Sequence, residues 1–163
     1  MTEWRRLSDR EIVGLAARLM DFNWSWRLAE VPALAEALGW RVRATRPDWV
    51  LLDTGFGIGS GRVHGRDGNV RGVEVQVTDH AEQGTTGQQQ VRDAFADMTA
   101  ALCTTLGNPT SRIPGESAEV RWAGAENTVQ LMVVASTVQL HLVRNTYLAA
   151  RDRAIELEKE GTL

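Results

Sequence analysis

Cysteine is nearly missing from this sequence. Cys103 stands alone, so no intrachain disulfide can form and a zinc site built on several cysteines is excluded. It follows Leu102 in a helical stretch with no basic neighbour in the sequence to hold a thiolate, which reads as a buried structural residue. Lysine is as scarce: Lys159 is the only one, and the basic character rests on arginine. The arginines are scattered along a chain of net charge −3, so the concentrated basic stretch of a nucleic-acid binder does not stand out. No apolar run approaches the ~20 residues that span a bilayer. The longest, VQLMVVASTVQLHLV, is broken by polar residues at strand spacing, and MTEWRRLSDREIVG lacks the apolar core of a signal peptide. The expectation is a soluble, cytoplasmic protein without nucleic-acid or membrane partners.

Recognisable catalytic spacing is absent too. His64, His80 and His141 show neither His-x-x-x-His nor His-Glu-x-x-His spacing. His80, beside Asp79 and near Glu82, reads either as half of a metal site or as a solvated loop histidine. No serine sits in a Gly-x-Ser-x-Gly elbow. The segment TGFGIGSG, Thr54 to Gly61, comes nearest to a motif. A phosphate-binding loop needs a lysine and a hydroxyl after its last glycine, and a dinucleotide fingerprint needs that glycine to open a helix. Here Arg62-Val63-His64 follows, and Gly65, Gly68 and Gly72 would each cost a helix about 1 kcal/mol. The segment is expected to be a mobile or bulged connection between strands, exploiting glycine's tolerance of positive φ. No cofactor and no metal is called for.

What is present is an ordinary globular composition, 43% hydrophobic and 24% charged, in a length that suits one domain over residues 1–163. Ser8 with Glu11 has capping-box spacing, and Ile12, Leu15, Ala16 and Leu19 share a helical face. After NWSWR a second helical pattern runs through Leu28, Val31, Leu34, Ala35 and Leu38, stopped by Gly39. Alternation then takes over in WRVRA, WVLLDT and VRGVEVQVTD. A helix is predicted from Gln88 to Leu106, with Val91, Phe95, Met98 and Leu102 on one face. AEVRWAG, TVQLMVVA and TVQLHLV alternate again, and TYLAARDRAIELEKEG closes the chain as a helix. The pattern predicts an α+β fold, with an antiparallel sheet of about six strands packed by helices in the order α-α-β-β-β-α-β-β-β-α.

The tryptophans are the oddity. Trp24 and Trp26 flank Ser25 where each ring can staple a helix to the sheet, while Trp40 and Trp122 fall on inward strand positions. If Val50 and Leu52 face the helices, Trp49 and Leu51 face outward as an interaction surface. A register offset of one would instead make Trp49 core. Outward positions elsewhere, among them Glu74, Arg121, Gln130, Gln139 and His141, form a polar face that suits either a partner or solvent.

The stretches LSDREIVGLAARL, WSW…LAEALGW, AFADM…LGNPT and VRWAGAENTVQLMV resemble a family of small actinobacterial proteins of unknown function, over nearly the whole chain. The order of elements is also similar to the type III secretion chaperone-like fold. That resemblance implies a non-enzymatic binding module, most simply an immunity-type protein that neutralises a toxin by occlusion, alternatively a chaperone or adaptor for a secreted protein, arranged as a homodimer. The contact residues expected are Trp49, Arg121, Gln139 and His141. A small-ligand site or enzyme beside the glycine segment, using His80, is the third reading.

Overall fold

The computed structural model describes residues 3–161. Its centre is one antiparallel sheet of eight strands in the order β1-β2-β3-β4-β8-β7-β6-β5. The strands are β1 (Arg41–Arg46), β2 (Trp49–Asp53), β3 (Ile58–Arg66), β4 (Asn69–Gln76), β5 (Ser111–Ile113), β6 (Glu119–Ala123), β7 (Asn127–Val134) and β8 (Thr137–Arg144). Four helices accompany them: α1 (Asp9–Asp21), α2 (Val31–Leu38), α3 (Thr85–Leu106) and α4 (Asn145–Lys159). Two four-strand meanders, one on either side of α3 in the chain, therefore meet edge to edge where β4 pairs with β8. The expected six strands and their order are corrected by this arrangement. β3 was hidden because glycines at 59, 61 and 65 erase its alternation, and β5 spans only three residues.

The helices form where capping and periodicity dictate. Ser8 Oγ accepts from the Glu11 amide at 3.1 Å while Glu11 Oε1 accepts from the Ser8 amide at 2.9 Å, closing the capping box of α1. Gly39 ends α2 at φ 74°, the left-handed conformation that favours glycine. α3 starts three residues before the predicted Gln88, at Thr85. Ile12 of α1, Leu34 of α2 and Met98 and Leu102 of α3 are fully buried against Leu52, Val63, Val73, Leu131 and Leu140 of the sheet. This inner face holds the main core. Trp122 joins it, and its indole N–H donates to the Gly107 carbonyl at 3.0 Å.

The glycine segment is a turn followed by a strand. Asp53 Oδ1 accepts from the amides of Gly55 at 2.9 Å and Gly57 at 3.3 Å, and β3 begins at Ile58. Gly55 and Gly57 have φ of 119° and 103°, which explains the residue choice without any ligand. Ser60 is buried and accepts from the Thr54 amide at 2.8 Å, so its hydroxyl locks the turn.

α4 packs on the opposite, outer face of the sheet. Its Asp152 pairs with Arg121 of β6, and its Tyr147 ring lies 5.2 Å from that of His64 on β3. Val143 and Leu148 are buried there, apart from the main core. Among the described residues no helix is long and apolar enough to cross a membrane.

Candidate functional site

Register fixes which residues share the outer face. Leu51, Arg62, Glu74, His141, Gln130 and Arg121 are successive cross-strand partners, forming one row from β2 to β6. A second row runs from Trp49 through His64, Gly72 and Val143 to Thr128. Val50 and Leu52 are buried on the inner side, at 2% and 0% exposure, so Trp49 and Leu51 do point outward, each half-buried.

α4 lies against β8 and reaches β6 through Asp152, β7 through Asn145, and β3 and β4 through Tyr147, and under it lies a polar layer. Arg121 donates through Nη1 and Nη2 to the two carboxylate oxygens of Asp152, at 2.6 and 2.9 Å, and through Nε to Glu119. The bonds to Asp152 raise the Arg121 pKa further and lower that of Asp152. Gln130, fully buried, donates to Glu119 at 3.2 Å, while its Oε1 has no partner among the described residues. His141 Nε2 donates to Gln139 Oε1 at 2.8 Å. Burial, followed by the charges of Arg151 and His64, lowers the His141 pKa to about 3. His64 falls to about 4, by burial and then by Arg62, Arg71 and Arg151. Both rings are therefore neutral near pH 7, and Glu74, 3.5 Å from His64, has its pKa raised by burial.

The four expected contact residues are consequently split. Trp49 sits on β2, while Arg121, Gln139 and His141 lie on β6 and β8 under or beside α4. Five strand spacings separate β2 from β6, roughly 24 Å. His141 is 5% exposed beneath α4, which corrects its reading as a surface histidine. Sequence reasoning placed it correctly away from the helical core but missed that α4 would return across the other face.

The part of the outer face that α4 leaves open is different. Arg41, Arg43 and Arg46 of β1 are exposed, as is Arg62 of β3. Arg46 stacks 5.5 Å over the Trp49 ring, and Arg43 reaches Asp53 only at 3.9 Å. Arg41 has no ion pair among the described residues. Scattered arginines are thus gathered by the fold around Trp49 and Leu51. The visible signal was arginine alternation in WRVRATR beside a strand opening on Trp49.

The other candidates separate. A cleft of about 1060 Å³ lies between the start of α3 and the β7 end of the sheet, with Val91, Phe95 and Val133 as its apolar lining and Glu82, Arg92 and Glu116 as its charged groups. His80 is beside it, its Nδ1 2.9 Å from Ser136 Oγ, and the glycine turn does not line it. Among the described residues no group of three or more His, Cys, Asp or Glu could hold a metal. Cys103 is half-buried rather than buried, and Arg112, distant in sequence, approaches its Sγ at 3.8 Å.

Comparison with protein families gives a match over residues 10–144 to a family of unknown function, DUF6301. The chain belongs to that family. The match runs through α1, α2, the sheet and α3 and ends where α4 begins. No curated protein and no solved structure matches the chain.

Proposed function

We propose that this DUF6301 protein is a non-enzymatic binding module whose partner protein docks on the open half of the outer sheet face. The observation that carries this reading is the uncovered Trp49–Leu51 pair ringed by Arg41, Arg43, Arg46 and Arg62. Aromatic and arginine side chains are the usual energetic anchors of interfaces, and a half-buried ring held by a stacked guanidinium is ordered before the partner arrives. The specific role we assign is immunity-type: an antiparallel sheet face laid over the active site of a cognate toxin, with the arginines meeting an acidic rim. Chaperoning a secreted protein would use the same surface.

The test is a tagged pull-down from native host lysate with the wild type and with Trp49→Ala and Arg46→Glu side by side. The reading expects one protein retained stoichiometrically by the wild type and lost, by tenfold or more, from both folded variants. Retention unchanged in both variants would overturn it. A thermal-shift panel of nucleotides and divalent cations is expected to leave the melting temperature unmoved. A rise of several degrees with one of them would turn the reading toward a small-ligand protein.

A further inference from the structure

An eight-stranded open sheet has two edges, and here they differ sharply. β5 is three residues long and runs into Pro114, which gives a partner little backbone to pair with. β1 is six residues, roughly 20 Å of extended chain, and is exposed along nearly its whole length. Beyond its pairing with β2, no other strand flanks it among the described residues. Its outward backbone groups thus have no strand partner.

The side chains say what can add there. A bulge between Val42 and Ala44 inserts Arg43 as the extra residue. Arg41 is opposite Asp53, Arg46 is opposite Trp49, and Arg43 reaches Asp53, so all three arginines emerge on the outer face of one edge. Of the three, Arg43 alone makes an ion pair among the described residues, to Asp53 at 3.9 Å. A second copy adding through its own β1 would bring six arginines together, and like charges across a strand pair are destabilising. An extended segment with carboxylates at alternate positions meets the opposite condition.

We propose that β1 is a strand-addition site for an acidic extended segment of the partner protein. The segment would pair through its backbone with the free edge of β1 and set its carboxylates against Arg41, Arg43 and Arg46. This rests on the docking role above and names the partner's chemistry.

The probe is a short capped peptide alternating glutamate and threonine, with a lysine–threonine peptide, a backbone N-methylated glutamate–threonine peptide and a short single-stranded oligonucleotide as controls. Amide hydrogen exchange resolved by NMR is the readout. The acidic peptide is expected to slow the fastest-exchanging β1 amides at least tenfold, and the three controls are expected to leave them unchanged. Arg43→Glu should weaken the peptide's effect at least tenfold without altering exchange in α3. Three results would overturn the proposal: no slowing in β1, equal slowing by the lysine peptide, or full activity of the N-methylated peptide. Oligonucleotide binding that slows β1 amides as much as the acidic peptide would overturn it as well. If the peptide fails while Trp49→Ala still abolishes retention of the host partner, strand addition falls and face docking stands. If Trp49→Ala leaves retention intact while the peptide pairs with β1, the docking face is wrong and the edge remains.

Discussion

The two halves of the outer sheet face use similar side chains and end in opposite states. Under α4, Arg121 is consumed by Glu119 and Asp152, His141 by Gln139, and of the row's buried side-chain acceptors Gln130 Oε1 is the one left without a partner among the described residues. Across β1 and β2, among the described residues, Arg46 has only the Trp49 ring and the Thr45 carbonyl, and Arg41 has no ion pair. Polar composition alone therefore does not mark a docking surface. What separates the two halves is whether the charges have been matched within the chain, because a group already paired and buried must break its bonds before it can meet a partner.

Removing what holds α4 down breaks the comparison most severely. Leu148→Ala takes away the buried apolar anchor of α4, and we expect a loss of about 3 kcal/mol in urea denaturation. Arg121→Ala should cost about 2 kcal/mol, because it strands the Glu119 carboxylate and frees Asp152. Arg121→Lys should restore only part of that, since an ammonium cannot make the two parallel bonds to Asp152.

Acid should act on the covered half in the same direction. His141 and His64 are held below their usual 6.5 at about 3 and about 4, so as pH falls below 6.5 the unfolded chain takes up protons first. Stability is complete above that point and declines toward pH 4, with His141 contributing about 2 kcal/mol of loss at pH 5. His64 contributes less, being more open to solvent. Glu74 opposes them above its usual 4.5, because its raised pKa lets the folded state bind a proton first. Arg62, Arg71 and Arg151 face these groups and stay charged throughout. Urea titrations at pH 7 and pH 5 should show the decline, and His141→Gln should flatten it.

The open half should respond least in stability and most in binding. Trp49→Ala and Arg46→Ala are each expected to change stability by about 1 kcal/mol or less, while Trp49→Ala weakens the partner complex at least tenfold. Titration calorimetry against the retained partner reads the second effect.

How far the sequence foretold this follows from which contacts are local. Capping at Ser8, the stop at Gly39 and the alternation of β4, β6, β7 and β8 are written in neighbouring residues, and they were legible. The outward direction of Trp49 was legible as one of two registers, and pairing of Val50 with Val63 on the inner side chose between them. β3 was not, because glycine carries no side chain to alternate. The burial of His141 was not either. It depends on α4, whose sequence shows no broad apolar stripe because the helix settles onto a polar layer, with Leu148 as its buried residue. The arginine cluster escaped notice for the same reason: Arg62 lies far from β1 in the chain and comes near it only across β2, where Leu51 pairs with Ala44 on one side and Arg62 on the other.

The most direct test of the split between the two halves is hydrogen–deuterium exchange on the protein alone and in complex with the partner retained from host lysate. The account predicts new protection across Arg41–Asp53 and around Arg62, with no change from Glu119 to His141 and none in α4. Protection arising in β6 to β8 together with faster exchange in α4 would contradict it, since the partner would then be displacing the helix to reach the polar layer beneath.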